Sequence, residues 1–178
     1  MHKLMRTIKS VVIIGCLVSS AANAEVGPKV AVMAFLLNDM TNLPNAPEEL
    51  KRIDLLSTKF HESLKSKGIN VVPEGAKVKS EIEKHSPTYL YDNVETAIEL
   101  NKNTGADYLV IGVALKPTYL FVYPRLIIVD VKNKSVVMSK SAQLESSWTD
   151  ENTTIRTAEK LAQVVKERVD ALHAAAEQ

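Results

Sequence analysis

Blocks of apolar and polar residues divide the chain into short strands and amphipathic helices. Residues 30–37 and 108–115 are nearly unbroken apolar runs of strand length, the pattern of strands covered on both faces. Between them, apolar residues recur with helical spacing from Glu48 until Lys67 and Gly68, where a glycine ends the pattern. The chain is therefore predicted to contain two central strands separated by an amphipathic helix.

Weaker signals lie between these two strands. Residues 69–73 predict a short strand near a sheet edge, because Pro73 cannot donate to a ladder. Residues 76–84 predict a short charged helix, and Asp92 is suited to cap a further helix that ends near Gly105.

The second half of the chain predicts a hairpin followed by a long helix. Residues 119–131 and 136–145 have strand patterns joined by a polar turn. A helix then starts at about Glu151, with Thr149 or Asp150 as its cap. This order of elements predicts an α/β fold with a mixed sheet of about five strands and three main helices.

The first 24 residues follow the pattern of an export leader. A basic start is followed by an apolar run at residues 11–18 and by small residues that end in Ala24. We expect cleavage before Glu25, which leaves residues 25–178 as a single domain. Because the apolar run is shorter than the ~20 residues that span a bilayer, we predict a periplasmic protein with no transmembrane span.

The single cysteine allows a second interpretation of the leader. Residues 13–16 resemble a bacterial lipoprotein signal, in which the thiol of Cys16 is acylated and anchors the protein to a membrane. The small-residue site before Glu25 fits simple cleavage better, so this anchor remains the alternative. After cleavage no cysteine is left, which excludes disulfides and thiolate chemistry.

Composition and charge restrict the function further. The chain is 46% hydrophobic and 24% charged, as in ordinary globular proteins. Lys3, Arg6 and Lys9 leave with the leader, which changes the formal charge from +1 to −2. A basic surface for nucleic acid is therefore not expected, and no glycine-rich phosphate loop or serine elbow occurs.

Candidate catalytic and metal-binding residues are few and isolated. The predicted mature chain contains three histidines: His61, His85 and His173. None has a ligand-spaced partner, and His61 is predicted to be a surface histidine. Asp107 and Asp130 border apolar strands, where an aspartate commonly satisfies a turn or cap. We therefore predict no enzyme activity and no cofactor. If the stability of the protein did depend on a metal, the carboxylates of residues 38–49 would be its predicted ligands.

Four segments resemble an uncharacterised family of exported bacterial proteins that is described as a domain of unknown function. They are residues 30–35, 105–112, 125–131 and 148–151. The layout is also similar to the amino-terminal domain of the Tol-Pal translocation protein B and to the core of the curli-secretion lipoprotein. The resemblance covers residues 29–172. It implies a β-α-β-α-β-β-β-α sandwich in the bacterial envelope that holds another protein and does not catalyse.

The last strand of the hairpin is the predicted partner-binding site. Its apolar residues are diluted by polar ones, as in protected edge strands, so a strand from an envelope protein could pair with it at Ser139 or Ser141. Trp148 follows closely, where it either fastens the final helix to the sheet or anchors a partner.

An aromatic strip is the alternative binding site. Tyr119, Phe121 and Tyr123 would share one face of a strand by their period of two. Such a strip either packs into the core, which is the favoured interpretation, or binds a small ligand or a cell-wall glycan.

Overall fold

The computed structural model describes residues 27–41, 47–144, 150–176 and 178. The leader with Cys16, the cleavage site at Glu25, and Trp148 lie outside the described residues. The elements follow in this order: β1 Lys29–Val32, β2 Leu36–Asp39, α1 Pro47–Ser66, β3 Asn70–Val72, α2 Val78–Ile82, α3 Tyr89–Asp92, α4 Val94–Asn101, β4 Tyr108–Lys116, β5 Tyr123–Asp130, β6 Ser135–Ser141 and α5 Glu151–Ala176.

The strands of the described residues form one mixed sheet in the order β3-β1-β4-β5-β6, and β2 pairs with β4 beyond the end of β1. The pairs among β1, β2, β3 and β4 are parallel, whereas β5 and β6 continue the sheet as antiparallel strands. The predicted α/β fold is thereby confirmed. So are the predicted edge positions of β3 and of the last hairpin strand.

Helices cover both faces of this sheet. α1 and α5 pack on one face, where Phe60 and Val165 belong to the same buried apolar cluster as Val110 of β4. The shorter helices α2, α3 and α4 cover the other face, to which β4 contributes Leu109 and Ile111. Alternate residues of β4 thus enter opposite cores, which explains its unbroken apolar run.

Residues 30–37 do not form the single strand that their apolar run predicts. In the ladder with β4, residues 33–35 oppose only residues 111–112, so one extra residue interrupts the strand and separates β1 from β2. This is a β-bulge in a parallel pair.

The bulge directs Phe35 onto α1. The Phe35 N–H donates to Ser57 Oγ of α1 over 2.9 Å, and the Phe35 ring packs edge-on against Phe60 at a centroid distance of 5.4 Å. Gly112 makes room for the ring, because a Cβ there would lie 2.6 Å from it.

The predicted strand 119–131 begins only at Tyr123. β4 pairs with β5 as far as Tyr123, so residues 117–122 reverse the chain between the two strands. Tyr119 and Phe121 therefore do not share a strand face with Tyr123, and both are exposed instead of packing into the core. The prediction of core packing for these two residues is wrong because an antiparallel pair requires a connection at this point.

Helix caps are partly as predicted. Asp150 caps α5, since its carboxylate accepts a hydrogen bond from the Asn152 N–H over 2.9 Å; the other candidate, Thr149, lies outside the described residues. Asp92 does not cap α4, because it is the last residue of the short helix α3 and Asn93 takes the cap position.

Candidate functional site

The outer edge of β6 offers main-chain groups for pairing. The Ala142 N–H donates to the carbonyl oxygen of Pro124 over 2.8 Å. The main-chain N–H groups of an antiparallel strand point alternately toward a neighbouring strand and away from it. The Lys140 N–H therefore also points toward β5, and the N–H groups of Ser139 and Ser141 point away from β5. Both serines are exposed. The N–H groups of the two predicted partner residues within the described part of the chain, Ser139 and Ser141, therefore both face away from the sheet.

A bulge interrupts the same edge closer to the hairpin turn. The register shifts at Val137, between the paired residues Val136 and Met138. Arg168 of α5 donates from Nη2 to the Val137 carbonyl oxygen over 3.0 Å, which occupies one main-chain acceptor. A bulge and a charged residue such as Lys140 are features that protect edges from self-association.

The loop at residues 117–122 exposes aromatic side chains beside this edge. Tyr119 is 73% exposed and Phe121 is 40% exposed. The Leu144 N–H donates to the carbonyl oxygen of Val122 over 3.2 Å, so the chain that leaves β6 runs next to the loop. The loop that carries Tyr119 and Phe121 is thus linked by a main-chain hydrogen bond to the segment that follows β6.

Further exposed apolar side chains lie at this end of the sheet. The Met40 N–H donates to the carbonyl oxygen of Lys116 over 3.0 Å, and Lys116 directly precedes the loop. Leu50 follows Glu49, whose carboxylate contacts the Lys116 ammonium. Met40 and Leu50 are both exposed, so exposed apolar side chains at this end of the sheet are not confined to the loop.

A buried ion cluster anchors this end. Lys116 Nζ lies 2.9 Å from Asp39 Oδ2 and 2.6 Å from Glu49 Oε1. Burial lowers the pKa of Lys116, but the hydrogen bonds to Asp39 and Glu49 and the charges of these carboxylates together raise it by more. Burial raises the pKa of Asp39, but the hydrogen bonds from Lys116 and Thr41 and the charge of Lys116 together lower it by more. Two carboxylates of residues 38–49, the segment named above for a possible metal, thus contact a lysine ammonium group.

Asp107 and Asp130 line one depression of about 360 Å³ at the other end of β4, a proximity that the sequence did not indicate. Asp107 Oδ2 accepts a hydrogen bond from the Lys29 N–H over 2.7 Å. Asp130 accepts one from the Asn133 N–H in the hairpin turn over 2.8 Å. Both carboxylates therefore satisfy main-chain groups, in agreement with their predicted roles at strand ends.

His61 is not the surface histidine that the sequence predicts. Its Nε2 atom is buried without a hydrogen-bond partner, and it lines a cavity of about 480 Å³ together with Glu74, whose Oε2 atom is also buried and unpartnered. Burial and the charge of Lys65 lower the pKa of His61, while burial raises the pKa of Glu74. Sequence reasoning missed this site because the two residues line one cavity only through the connection of β1 by way of α1 to β3.

Two further observations concern the described part of the chain. No group of three or more His, Cys, Asp or Glu side chains within it could hold a metal ion. No helix within residues 27–41, 47–144 and 150–176 is long and apolar enough to cross a membrane.

The fold places the protein in the α/β class with a mixed sheet, and several solved structures are similar to the chain. The hypothetical protein CT253 from Chlamydia trachomatis is similar with a TM-score of 0.52 and 14% identity, over 81% of this chain and 99% of that chain. The PelC dodecamer from Paraburkholderia phytofirmans gives a TM-score of 0.47 and 20% identity, over 80% and 87%. The LpoB C-terminal domain from Salmonella enterica gives 0.45 and 16%, over 71% and 88%.

The DUF3280 family, described as "Protein of unknown function (DUF2380)", matches residues 28–163. Because this match spans most of the chain, the protein belongs to that family. The predicted relationship to a family of unknown function is confirmed. No curated protein matches the chain.

Proposed function

We propose that this protein is a non-catalytic module of the bacterial cell envelope that binds another protein by strand addition at β6. The observation that carries this proposal is the outward direction of the Ser139 and Ser141 N–H groups on the outer strand. An extended partner segment that pairs with them would continue the sheet, and its main-chain hydrogen bonds would supply the affinity.

Aromatic side chains next to the edge would supply specificity. Tyr119 and Phe121 are exposed in the loop beside the chain that leaves β6, and aromatic residues of this kind commonly dominate binding energy. Trp148 follows Leu144 by a few residues and remains the predicted third anchor. Its truncation to alanine should cost about 2 kcal/mol of binding if it fills a pocket on the partner.

An envelope location is supported by the leader pattern of residues 1–24 and by the absence of cysteine from the rest of the sequence. We place the protein in the periplasm, with cleavage before Glu25. Acylation at Cys16 would keep it in the envelope as a membrane-anchored protein.

Affinity capture from an envelope extract tests the proposal when it is done with matched variants. Ser139→Pro and Ser141→Pro remove an outward N–H and leave the ladder with β5 intact. We expect each to reduce capture of the same partner by up to about tenfold, because one main-chain hydrogen bond is lost. Ser139→Ala and Ser141→Ala keep the N–H and should bind like the wild type.

Lys140→Pro is the structural control, because its N–H faces β5. This variant should weaken the hairpin itself, which circular dichroism and thermal melting detect. If both serine-to-proline variants remain folded and still capture the partner with wild-type affinity, strand addition at β6 is wrong.

A second candidate function, binding of a small ligand or a cell-wall glycan, is favoured by the aromatic loop. The Phe121 and Tyr123 rings lie 6.4 Å apart, and the exposed Tyr119 is close to them in sequence. These rings offer faces on which a sugar could stack. Calorimetry with purified glycan fragments distinguishes the two functions, since Tyr119→Ser would abolish glycan binding whereas Ser139→Pro would not.

A further inference from the structure

The cavity of about 480 Å³ lies at the carboxyl ends of the parallel strands β1 and β3. After β1 the chain continues through β2 to α1 on one face of the sheet, and after β3 it continues to α2, α3 and α4 on the other face. Connections that leave neighbouring parallel strands toward opposite faces open a crevice, and ligands of α/β proteins bind in such crevices. The topology therefore favours a ligand at this position.

Two polar atoms in the cavity wall have no hydrogen-bond partner. They are His61 Nε2 on α1 and Glu74 Oε2 just beyond β3, and both are fully buried. Val32, Met33 and Val72 contribute apolar walls around them. Buried polar atoms in proteins are nearly always paired, so a ligand that pairs with both atoms gains binding energy from groups that the fold leaves unsatisfied.

The charges around the cavity favour a cation that carries hydrogen-bond donors. Burial raises the pKa of Glu74, and its buried Oε2 atom has no ion-pair or hydrogen-bond partner among the described residues, although Lys65 lies on the same cavity wall. Burial and the charge of Lys65 lower the pKa of His61, which favours the neutral form of its imidazole. In the tautomer that carries the proton on Nδ1, the His61 Nε2 atom is an acceptor, and in that tautomer both unpartnered atoms can accept hydrogen bonds.

We propose that this cavity binds a primary amine on a short apolar body. The ammonium group donates hydrogen bonds to Glu74 Oε2 and His61 Nε2 and neutralises the carboxylate, while the hydrocarbon part contacts Val32, Met33 and Val72. Free alkylamines and the lysyl side chain of a peptide share this chemistry.

The fold orients Glu74 through the residue that follows it. The Gly75 N–H donates to Oδ1 of the buried Asn101 on α4 over 2.8 Å, and a Cβ at Gly75 would lie 1.9 Å from the Leu100 carbonyl oxygen. The main chain therefore lies directly against the end of α4. This holds Glu74 in place before binding, which lowers the entropic cost of association.

Titration of the full chain with hexylamine at neutral pH tests the proposal. Hexanol and hexanoate are matched probes that lack the cation. The NMR signal of the His61 imidazole, identified by its loss in His61→Asn, reports binding at this site. We expect this signal to shift with hexylamine but not with hexanol or hexanoate. Nα-acetyl-lysine amide distinguishes the two sources of the amine, since tighter binding than hexylamine points to a peptide side chain.

Variants of the cavity charges sharpen the test. Glu74→Gln keeps the shape of the side chain but loses the charge-assisted hydrogen bond, so hexylamine should bind about tenfold more weakly or worse. Lys65→Met should strengthen binding, because this lysine on the cavity wall repels an incoming ammonium. Lys140→Met, on the exposed part of β6, should change nothing. Circular dichroism verifies that each variant is folded.

Three results would overturn the proposal: hexanoate binding that Lys65→Met weakens, a His61 shift with zinc ion but with no amine, or unchanged spectra with every amine. The cavity borders β3, and β6 forms the opposite edge of the sheet. Ser139→Pro should therefore leave hexylamine binding intact, and the amine site and the partner edge are tested independently.

Discussion

At the scale of single residues, Lys116 places a charge inside the protein at the end of β4. Its side chain is almost fully buried, and Asp39 and Glu49 both contact its ammonium group. A buried ion pair stabilises little relative to a well-packed apolar replacement, because both charges lose their hydration. Removal of one partner is nevertheless costly, since the other charge is then buried without compensation.

Lys116→Met should therefore lower the free energy of unfolding by about 3–5 kcal/mol, because it leaves Asp39 and Glu49 without their cation. Urea unfolding measures this effect. Lys140→Met makes the same chemical change at an exposed position of β6 and should stay within about 0.5 kcal/mol of the wild type. Equal unfolding midpoints for the two variants would contradict the role assigned to Lys116.

The same cluster makes part of the stability depend on pH. Burial raises the pKa of Asp39, but the hydrogen bonds from Lys116 and Thr41 and the charge of Lys116 together lower it by more, so that it lies below the ordinary value of 3.8 in the folded state. A lowered folded pKa stabilises the protein above the unfolded value, and this contribution is lost as the pH falls through the folded pKa. The wild type should thus lose stability in acid more steeply than Asp39→Asn. Parallel pH profiles in urea titrations would refute this.

At the scale of elements, the division between β1 and β2 results from one aromatic ring. Phe35 leaves the ladder, bonds to Ser57 of α1 and packs on Phe60. Gly112 of β4 lies directly beneath the ring. The strand is therefore interrupted so that a large side chain can join the sheet to α1.

Gly112→Ala should destabilise the protein by about 1–3 kcal/mol, since the new methyl group overlaps the Phe35 ring. Combining it with Phe35→Leu should recover part of this loss, because the smaller side chain makes room for the methyl group. Chemical denaturation of the two single variants and the double variant measures the coupling. Strictly additive effects would show that Gly112 and Phe35 do not share this space.

At the scale of the whole molecule, helices cover both faces of the sheet, and the outer strands β6 and β3 lie at opposite edges. The proposed partner surface uses the β6 edge, and the proposed amine cavity borders β3. A protein partner and a small amine could consequently bind at the same time.

The exported protein should begin at Glu25, because the small residues that end in Ala24 fit cleavage at that point. Intact-mass measurement of the protein recovered from the periplasm determines this directly. An acylated mass that begins at Cys16 would instead establish a membrane anchor and correct the proposed location.

The sequence by itself determined the features that depend on neighbours along the chain. The helical spacing of apolar residues predicted α1, the strand patterns predicted the hairpin with β6 at its edge, and Asp150 was among the predicted caps of α5. Periodicity and capping are local interactions, so a single sequence contains them. The family of unknown function was recognisable for the same reason, since its motifs are the apolar strands themselves.

Only the tertiary structure decided which distant residues meet. Lys116 and Asp39 are 77 positions apart, and their contact depends on the register between β2 and β4. The pairing of β4 with β5 decided that Tyr119 and Phe121 lie in an exposed connection. The connection of β1 by way of α1 to β3 placed His61 and Glu74 on the wall of one cavity. Register and crossover arise from packing across the whole sheet, which local pattern does not encode.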